Sequence, residues 1–319
     1  MRQLPTTVQA PGKLVLLGEY AVRHGAPALA VALDRRVTVR VGGVPAGDDL
    51  PNRARQLAAA LLELELRPAP CRADSRQLYL KGCKLGLGSS AAVVVAAVAS
   101  LLVEQGRDLD GTKDRREVFR LSRRVHDQCQ SCRGSGIDVA ASTFGGYLVL
   151  ENRPGDSSRV RQWRPPAGWY LSFWWTGHDS STPERIAMVD DFARRQGAVH
   201  ERLMADMADT CRRFLAAAGI AECCRWLECY RRQLLELGRR SGLEMMSSGE
   251  LELARRAREL GGVLKPAGAG GGDCLLAVFP TGEQQQRFAR LARQRGLVAM
   301  AAAVDRRGVR RLPPEAGHG

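Results

Sequence analysis

The longest hydrophobic run of the chain extends from Ala91 to Val103 and follows a turn that contains two glycines and two serines. Because almost every position of the run is Ala, Val or Leu, a helix formed here would have no polar face, which predicts a buried helix. The run is too short to cross a bilayer, which needs about 20 apolar residues. A strand expected over 77–81 precedes the turn, so the pattern predicts strand, glycine turn and helix in succession.

The remaining hydrophobic periods predict a chain that mixes helices and strands. Strands are expected over 13–20, 28–33, 36–42, 147–151, 169–175, 262–265, 274–279 and 296–304. Helices are expected over 51–66, from Thr112 onward, three times within 183–240, over 248–260 and over 282–294.

Local signals predict where several of these elements begin and end. Ser181 and Glu184 have the spacing of a capping box, which predicts a helix start there. A polar, proline-containing connection runs from Asn152 to Pro166, and it favours a division into domains 1–160 and 161–319. Residues from about Arg306 are expected to be frayed.

The charge of the chain narrows the class of partner. The formal net charge is +14, which by itself would suit a nucleic-acid-binding surface. The arginines, however, alternate with glutamates along predicted helices and lack interleaved aromatic residues, so solvated helix faces are favoured. No basic segment followed by an apolar one opens the sequence. We therefore expect a cytoplasmic protein with no specific nucleic-acid partner and no membrane span.

Nine cysteines are scattered through the chain, which favours free thiols over a disulfide framework in a cytoplasmic protein. His126, Cys129 and Cys132 form a small cluster that could hold a metal or act in redox chemistry. Because no second pair of ligands with matching spacing follows, that hypothesis is the weaker one.

The glycine turn before the hydrophobic run has the properties of an anion site. Gly86 and Gly88 leave the backbone uncovered where the first amides of a helix lack internal partners and the helix dipole is positive. Ser89 and Ser90 add hydroxyls that can cap the helix, bind a phosphate oxygen or complete the coordination of Mg²⁺. Taken alone, the same pattern also fits a glycine turn that merely begins a core helix.

Two further glycine segments support the anion-site interpretation. In the first, Lys13 and Glu19 stand six residues apart, a spacing that puts both on one face of a regular strand. The second, Lys265 to Asp273, contains so much glycine that a special backbone path is favoured over a casual linker. Only five lysines occur in this arginine-rich chain, and three of them, Lys13, Lys84 and Lys265, lie in these segments.

These segments resemble the motifs of the GHMP kinase family in their order along the chain. The matching stretches are APGKLVLLGEYAV, KLGLGSSAAV, GSGIDVAASTFGG and KPAGAGGGD, and the resemblance covers nearly the whole sequence. It implies an α+β protein with a ribosomal S5 domain 2-like N-terminal domain and a ferredoxin-like C-terminal domain. It also implies ATP-dependent phosphoryl transfer, with ATP and Mg²⁺ as cofactors and an acceptor bound between the two halves.

The resemblance also assigns roles by motif position. It implies that Lys13 and Asp138 are catalytic, and that Ser90 and Asp127 bind magnesium. The residues expected at the nucleotide are Lys84, Gly86, Leu87, Gly88, Ser89, Ser90 and Ala91. The residues expected at the acceptor are Lys13, Glu19, Tyr20, Ser135, Gly136, Asp138 and Gly270.

The acceptor determines what Asp138 must do. An alcohol has to lose its proton, for which an aspartate base is useful, whereas a phosphomonoester with a pKa of about 6 is already largely ionised. Tyr20, Gly134 and Thr176 match the pattern of family members whose acceptor is a phosphorylated small molecule. We therefore expect an acceptor of that kind, and we expect the protein to be a monomer or a homodimer. A small alcohol acceptor is the alternative, and a catalytically silent nucleotide- or RNA-binding protein is another.

Overall fold

The computed structural model describes residues 6–42, 49–65, 68–130, 134–152 and 158–313. Its strands are β1 (Thr7–Leu17), β2 (Ala28–Val41), β3 (Cys71–Asp74), β4 (Tyr79–Leu80), β5 (Cys83–Lys84), β6 (Tyr147–Asn152), β7 (Ser158–Gln162), β8 (Tyr170–Trp175), β9 (Val263–Pro266), β10 (Cys274–Phe279), β11 (Val298–Met300) and β12 (Arg310–Arg311). Its α-helices are α1 (Leu50–Leu61), α2 (Ser89–Glu104), α3 (Thr112–Gln130), α4 (Ile137–Phe144), α5 (Thr182–Arg195), α6 (Gly197–Leu215), α7 (Ile220–Ser241), α8 (Ser248–Glu259) and α9 (Gly282–Gln294).

The first sheet has the order β12-β1-β2-β6-β7, with β3 also paired to β2, and all these pairings are antiparallel. Helix α2 packs on β1 and β2 and is flanked by α1, α3 and α4. Its residues Ala91 to Val103 are all buried, as the unbroken hydrophobic run predicts. Packing on every side of α2 thus fixes the position of its N-terminus, where the glycine turn lies.

The second sheet has the order β11-β8-β10-β9 and is also antiparallel. Helices α8 and α9 pack against it, and a smaller core forms there around Trp174, Phe279 and Phe288. Helices α5, α6 and α7 follow β8 and correspond to the three helices predicted within 183–240. Mixed helices and antiparallel sheets confirm the α+β class. Within the described ranges, no helix combines the length and apolarity that a membrane span would need.

Two local predictions were wrong, and the helix start predicted at Ser181 was confirmed without the side-chain cap. Asp34 and Arg35 do not end a strand, because β2 continues through them with a register shift opposite Pro11 and Gly12. The side chain of Ser181 makes no capping hydrogen bond, although α5 does begin directly after it. The described residues after Arg306 are not frayed, because Arg310 and Arg311 pair with β1 and Val309 is fully buried.

The C-terminal part of the described chain returns to the first sheet. Val304 bridges to Leu33, and Arg310 and Arg311 pair with Gln9 and Val8 of β1. The division into domains at residue 160 stays a prediction. Val304, Arg310 and Arg311, which come after that division, pair with strands of the first half. Strand β11 is shorter than the predicted 296–304, since the chain leaves the second sheet after Met300.

Candidate active site

The glycine turn forms the entrance to helix α2. Gly86 and Gly88 have φ angles of 68° and 70°, in the left-handed region that glycine adopts without strain. Leu85 and Leu87 are buried and anchor the turn, while the residues between and after them are partly exposed. Among the described residues no side chain caps α2, so the backbone amides at its start remain available to an anion.

Neither Ser89 nor Ser90 caps helix α2, although capping was one of the roles that the sequence allowed. The Oγ of Ser90 instead lies 3.4 Å from Nε2 of His126 and accepts a hydrogen bond of 3.3 Å from Gln130. His126 is buried, and through it and Gln130 helix α3 contacts the first turn of α2. Lys84, on the exposed strand β5, leads into the turn.

Lys13 reaches the same turn from β1. Its backbone N–H donates to the carbonyl of Leu87 at 2.9 Å. Its side chain runs along Gly88 so closely that a Cβ at position 88 would come within 2.8 Å of the lysine Cε. The structure therefore brings together Lys13 and the predicted phosphate loop, which lie more than 70 residues apart in the chain.

Asp138 lies in the first turn of α4, after Gly136 with its left-handed φ of 80°. Its Oδ1 accepts a hydrogen bond of 2.9 Å from the N–H of Val139, and Ser135 lies just before the helix with Oγ 3.4 Å from the N–H of Ile137. One turn further on, Ser142 donates to the carbonyl of Pro11 at 2.8 Å. This bond ties the helix that carries Asp138 to the strand that carries Lys13.

Asp127 lies near the C-terminal end of α3, next to the His126 that contacts Ser90. Its Oδ1 accepts a hydrogen bond of 2.9 Å from the N–H of Gly134. Among the described residues, no three His, Cys, Asp or Glu side chains converge as a metal site. A hydroxyl and a carboxylate nevertheless fit Mg²⁺, which is bound through one or two carboxylates together with substrate phosphates and water. Cys132 of the alternative metal cluster lies outside the described residues.

Glu19 and Tyr20 contact the third glycine segment. Glu19 is buried, and its Oε1 accepts from Nζ of the fully buried Lys265 at 2.6 Å. Its Oε2 has no hydrogen-bond partner among the described residues. Tyr20 donates its hydroxyl to the carbonyl of Ala269 at 2.7 Å, and burial raises its pKa against the opposing effect of Arg185.

The predicted acceptor residues thus fall into two groups. Lys13 contacts the phosphate loop, and Ser135, Gly136 and Asp138 lie at the start of α4. Glu19 and Tyr20 instead contact the third glycine segment. Gly270, in that segment, has a φ of 80° and accepts a hydrogen bond of 2.9 Å from Ser180. The acceptor contact of Glu19 stays a prediction, and its partner in the structure is Lys265.

The sequence pattern did not single out Asp273, which ends the third glycine segment. The structure places its side chain directly against Gly86, where a Cβ would approach the Cβ and Cγ of Asp273 to 2.5 Å. The next residue, Cys274, donates its thiol to the carbonyl of Leu85 at 2.9 Å. The one signal for Asp273 was a charged residue at the end of a glycine run, and its neighbours could not be inferred from spacing.

The site therefore has an uncapped helix N-terminus, with Lys13 against Gly88 and the carboxylate of Asp273 against Gly86. Comparisons with known proteins agree with this arrangement. A family model described as the GHMP kinases N terminal domain matches residues 83–146, which include the phosphate loop and Asp138.

Two relatives are equally similar in sequence. The phosphomevalonate kinase of Streptomyces sp. strain CL190 is 30% identical, over 85% of this chain and 88% of the relative. The mevalonate kinase of Archaeoglobus fulgidus is also 30% identical, over 85% of this chain and 91% of the relative. The chain belongs to the GHMP kinase family.

The fold agrees with that of solved family structures. Phosphomevalonate kinase from Streptococcus pneumoniae, solved in complex with phosphomevalonate and AMPPNP, has a TM-score of 0.81 to this chain at 18% identity. The superposition covers 93% of this chain and 99% of that one. The chain thus has the α+β GHMP kinase fold, which confirms the resemblance on which the site residues were chosen.

Proposed function

We propose that this chain transfers the γ-phosphoryl group of ATP to 5-phosphomevalonate, giving 5-diphosphomevalonate and ADP in the mevalonate route to isoprenoids. The observation that carries the proposal is the contact of Lys13 with Gly88 at the uncapped start of α2. A cation beside exposed amides at a helix N-terminus suits phosphate groups that carry charge through the reaction.

The donor would lie with its phosphates over Gly86–Ala91, where backbone N–H groups face outward. Bound Mg²⁺ would neutralise charge on the phosphates and help align them. Ser90 and Asp127 would hold the ion, because their hydroxyl and carboxylate oxygens are ligands that Mg²⁺ prefers. Lys13 would hold its ammonium between the two phosphate groups, and Asp138 would keep the geometry of Lys13 and the metal.

The choice of acceptor depends on chemistry and on a few residues. For two phosphates that must approach each other, charge repulsion is the main obstacle, and a base is nearly unnecessary. Tyr20 stands where mevalonate kinases usually have histidine, and its hydroxyl is bound to Ala269 at the glycine segment. Thr176, which precedes Gly177 as in phosphomevalonate kinases, donates to the carbonyl of Asp273 at 3.1 Å.

Mevalonate kinase is the second candidate, because the archaeal mevalonate kinase is as similar in sequence as the bacterial phosphomevalonate kinase. The two functions differ in their acceptor, so they can be separated directly. A cytoplasmic location and a monomeric or homodimeric state stay predictions.

The deciding experiment measures coupled ADP release with mevalonate and 5-phosphomevalonate offered separately to the purified protein. Turnover with 5-phosphomevalonate supports the proposal, and turnover with mevalonate alone contradicts the choice of acceptor. Lys13→Met should lower kcat by about 10²–10³-fold, the usual loss for a group that stabilises charge in the transition state. Lys113→Met, which changes an exposed lysine of α3, is the matched control. Unchanged turnover in the Lys13 variant would refute the role given to this residue.

A further inference from the structure

Asp273 has a backbone conformation that a side chain makes costly. Its φ is 54°, in the left-handed region that L-residues rarely adopt, although aspartate does so more readily than most. Three hydrogen bonds hold it there: its N–H donates to the carbonyl of His178 at 2.8 Å, and its carbonyl accepts from the N–H and Oγ1 of Thr176. The three residues directly before it, Gly270, Gly271 and Gly272, are glycines with positive φ, yet a carboxylate is present here.

The carboxylate lies against the phosphate loop. A Cβ on Gly86 would come within 2.5 Å of Cγ and 2.8 Å of Oδ2 of Asp273, so only glycine leaves room for it. Its Oδ1 accepts a hydrogen bond of 3.3 Å from the N–H of Ser180. Oδ2 receives no hydrogen bond from any residue in the described part of the chain. The loop is thus contacted by Lys13 at Gly88 and by Asp273 at Gly86.

A lysine and an aspartate therefore contact the same loop two positions apart, at Gly88 and Gly86. Burial raises the pKa of Asp273, and the nearby carboxylate of Asp179 adds to the rise. The Ser180 amide, Lys13 and His178 act in the opposite direction and lower it. Within the ranges that the structure describes, Lys13 and Asp273 form no direct ion pair. The ammonium is consequently attracted toward Asp273 without being neutralised by contact with it.

We propose that Asp273 is a positioning residue that holds the ammonium of Lys13 over Gly88, between the donor and acceptor phosphates. The inference rests on the proposed function of Lys13. Donor phosphates bound over the loop attract the ammonium from one side. The fixed carboxylate attracts it from the other, so that the lysine remains placed to neutralise charge on both phosphates. Asp273 acts through Lys13 and has no assigned contact with substrate.

The first test needs no substrate. Trace acetylation at one fixed pH, read by mass spectrometry, gives the relative reactivity of the lysines that the reagent reaches. In Asp273→Asn the reactivity of Lys13 should rise, because the carboxylate that holds its ammonium is lost. Exposed Lys81 and Lys113 serve as internal references. Asp179→Asn, which removes an exposed carboxylate from the adjacent loop, should change the reactivity of Lys13 less.

The second test is kinetic. Asp273→Asn and Asp273→Gly should lower kcat by about 10–100-fold, the loss expected when a reacting group is displaced by about 1 Å, with little change in the KM for ATP. Asp273→Gly also removes the strained side chain, so its melting temperature should not fall below that of the wild type. Asp179→Asn should keep wild-type turnover.

The outcomes separate the inference from the proposed function. Unchanged reactivity of Lys13 in Asp273→Asn overturns the inference, as does changed reactivity with wild-type kcat. A fall in kcat that comes with an equal loss of stability in both Asp273 variants also overturns it, because it indicates a structural role. If the wild type releases ADP with neither acceptor, the proposed function fails, while the acetylation measurement still tests the coupling of Asp273 to Lys13.

Discussion

Replacing Lys265 by methionine should destabilise the protein strongly. Lys265 and Glu19 form an ion pair of 2.6 Å whose side chains are 0% and 3% exposed. The ammonium also donates to the carbonyl of Pro266 and lies 5.9 Å from the centre of the Tyr230 ring. Methionine keeps most of the aliphatic stem but leaves the Glu19 carboxylate buried without a cation.

The expected cost follows from this burial. Removing one member of a buried ion pair costs about 3–5 kcal/mol, since the remaining charge stays desolvated and unpaired. At roughly 2–4 °C for each kcal/mol in a domain of about 150–250 residues, the melting temperature should fall by roughly 6–20 °C. Glu19→Met should have a similar effect, because it leaves Lys265 buried and charged.

A double-mutant cycle measures the coupling between the two residues. Glu19→Met with Lys265→Met should recover most of the lost stability, because neither charge then remains buried. Urea unfolding followed by tryptophan fluorescence, together with thermal melts, supplies the free energies. Arg239→Met is the matched control, since the Arg239–Glu236 pair is 67% and 36% exposed and should leave the melting temperature unchanged.

Two results would refute this reasoning. One is a Lys265→Met protein as stable as the wild type, and the other is a double variant no more stable than either single one. The cycle also tests the sequence-based role of Glu19, because a Glu19→Met protein of normal stability that has lost turnover would support an acceptor contact.

Two further predictions test the phosphate loop and the cysteines. Gly86→Ala should abolish the rise in melting temperature that ATP produces. Gly82→Ala should retain that rise, because Gly82 has a similar φ of 83° but nothing lies within 4 Å of the added Cβ. Equal responses of the two variants would contradict the tight contact of Gly86 with Asp273. Exposed Cys83 should be alkylated well before buried Cys71. Burial raises the pKa of Cys71 from 9.0 to about 11, which lowers its thiolate fraction at pH 8 by about a hundredfold. Alkylation of Cys71 should therefore increase with pH up to about 11, and peptide mass spectrometry that found equal rates for the two thiols at pH 8 would contradict the burial.

The sequence predicted elements that depend on local pattern. The buried helix α2 follows from an unbroken apolar run, and α5, α6 and α7 follow from helical periodicity. Several arginines of the helices pair with glutamates three or four residues away, as the alternation of charges indicated.

Errors arose where a partner distant in sequence decides the structure. Asp34 and Arg35 have the composition of a strand break, but pairing of β1 with both halves of β2 carries the strand through them. The residues after Arg306 have the composition of a frayed end, but β1 provides a sheet edge for them. Neither pairing leaves a local signal.

The candidate site divides in the same way. Motif position predicted Lys13, Gly86, Ser90 and Asp138, and the structure places Lys13 in contact with the loop that contains Gly86. The Lys265–Glu19 pair joins residues 246 positions apart, and Asp273 contacts Gly86 from the other end of the chain, so spacing could reveal neither contact.

The pairing of β12 with β1 has a consequence for biosynthesis. Arg310 also donates to the side chain of Gln9, 301 positions earlier, so the strand that carries Lys13 meets its last neighbour only when residues near 311 are available. During translation β1 is among the first strands to leave the ribosome, and its free edge remains open until almost all of the described chain has been made. Contacts of such long range slow folding and expose strand edges to other chains. The first sheet, whose strand β1 carries Lys13, is therefore completed only after residues 310 and 311 have been synthesised.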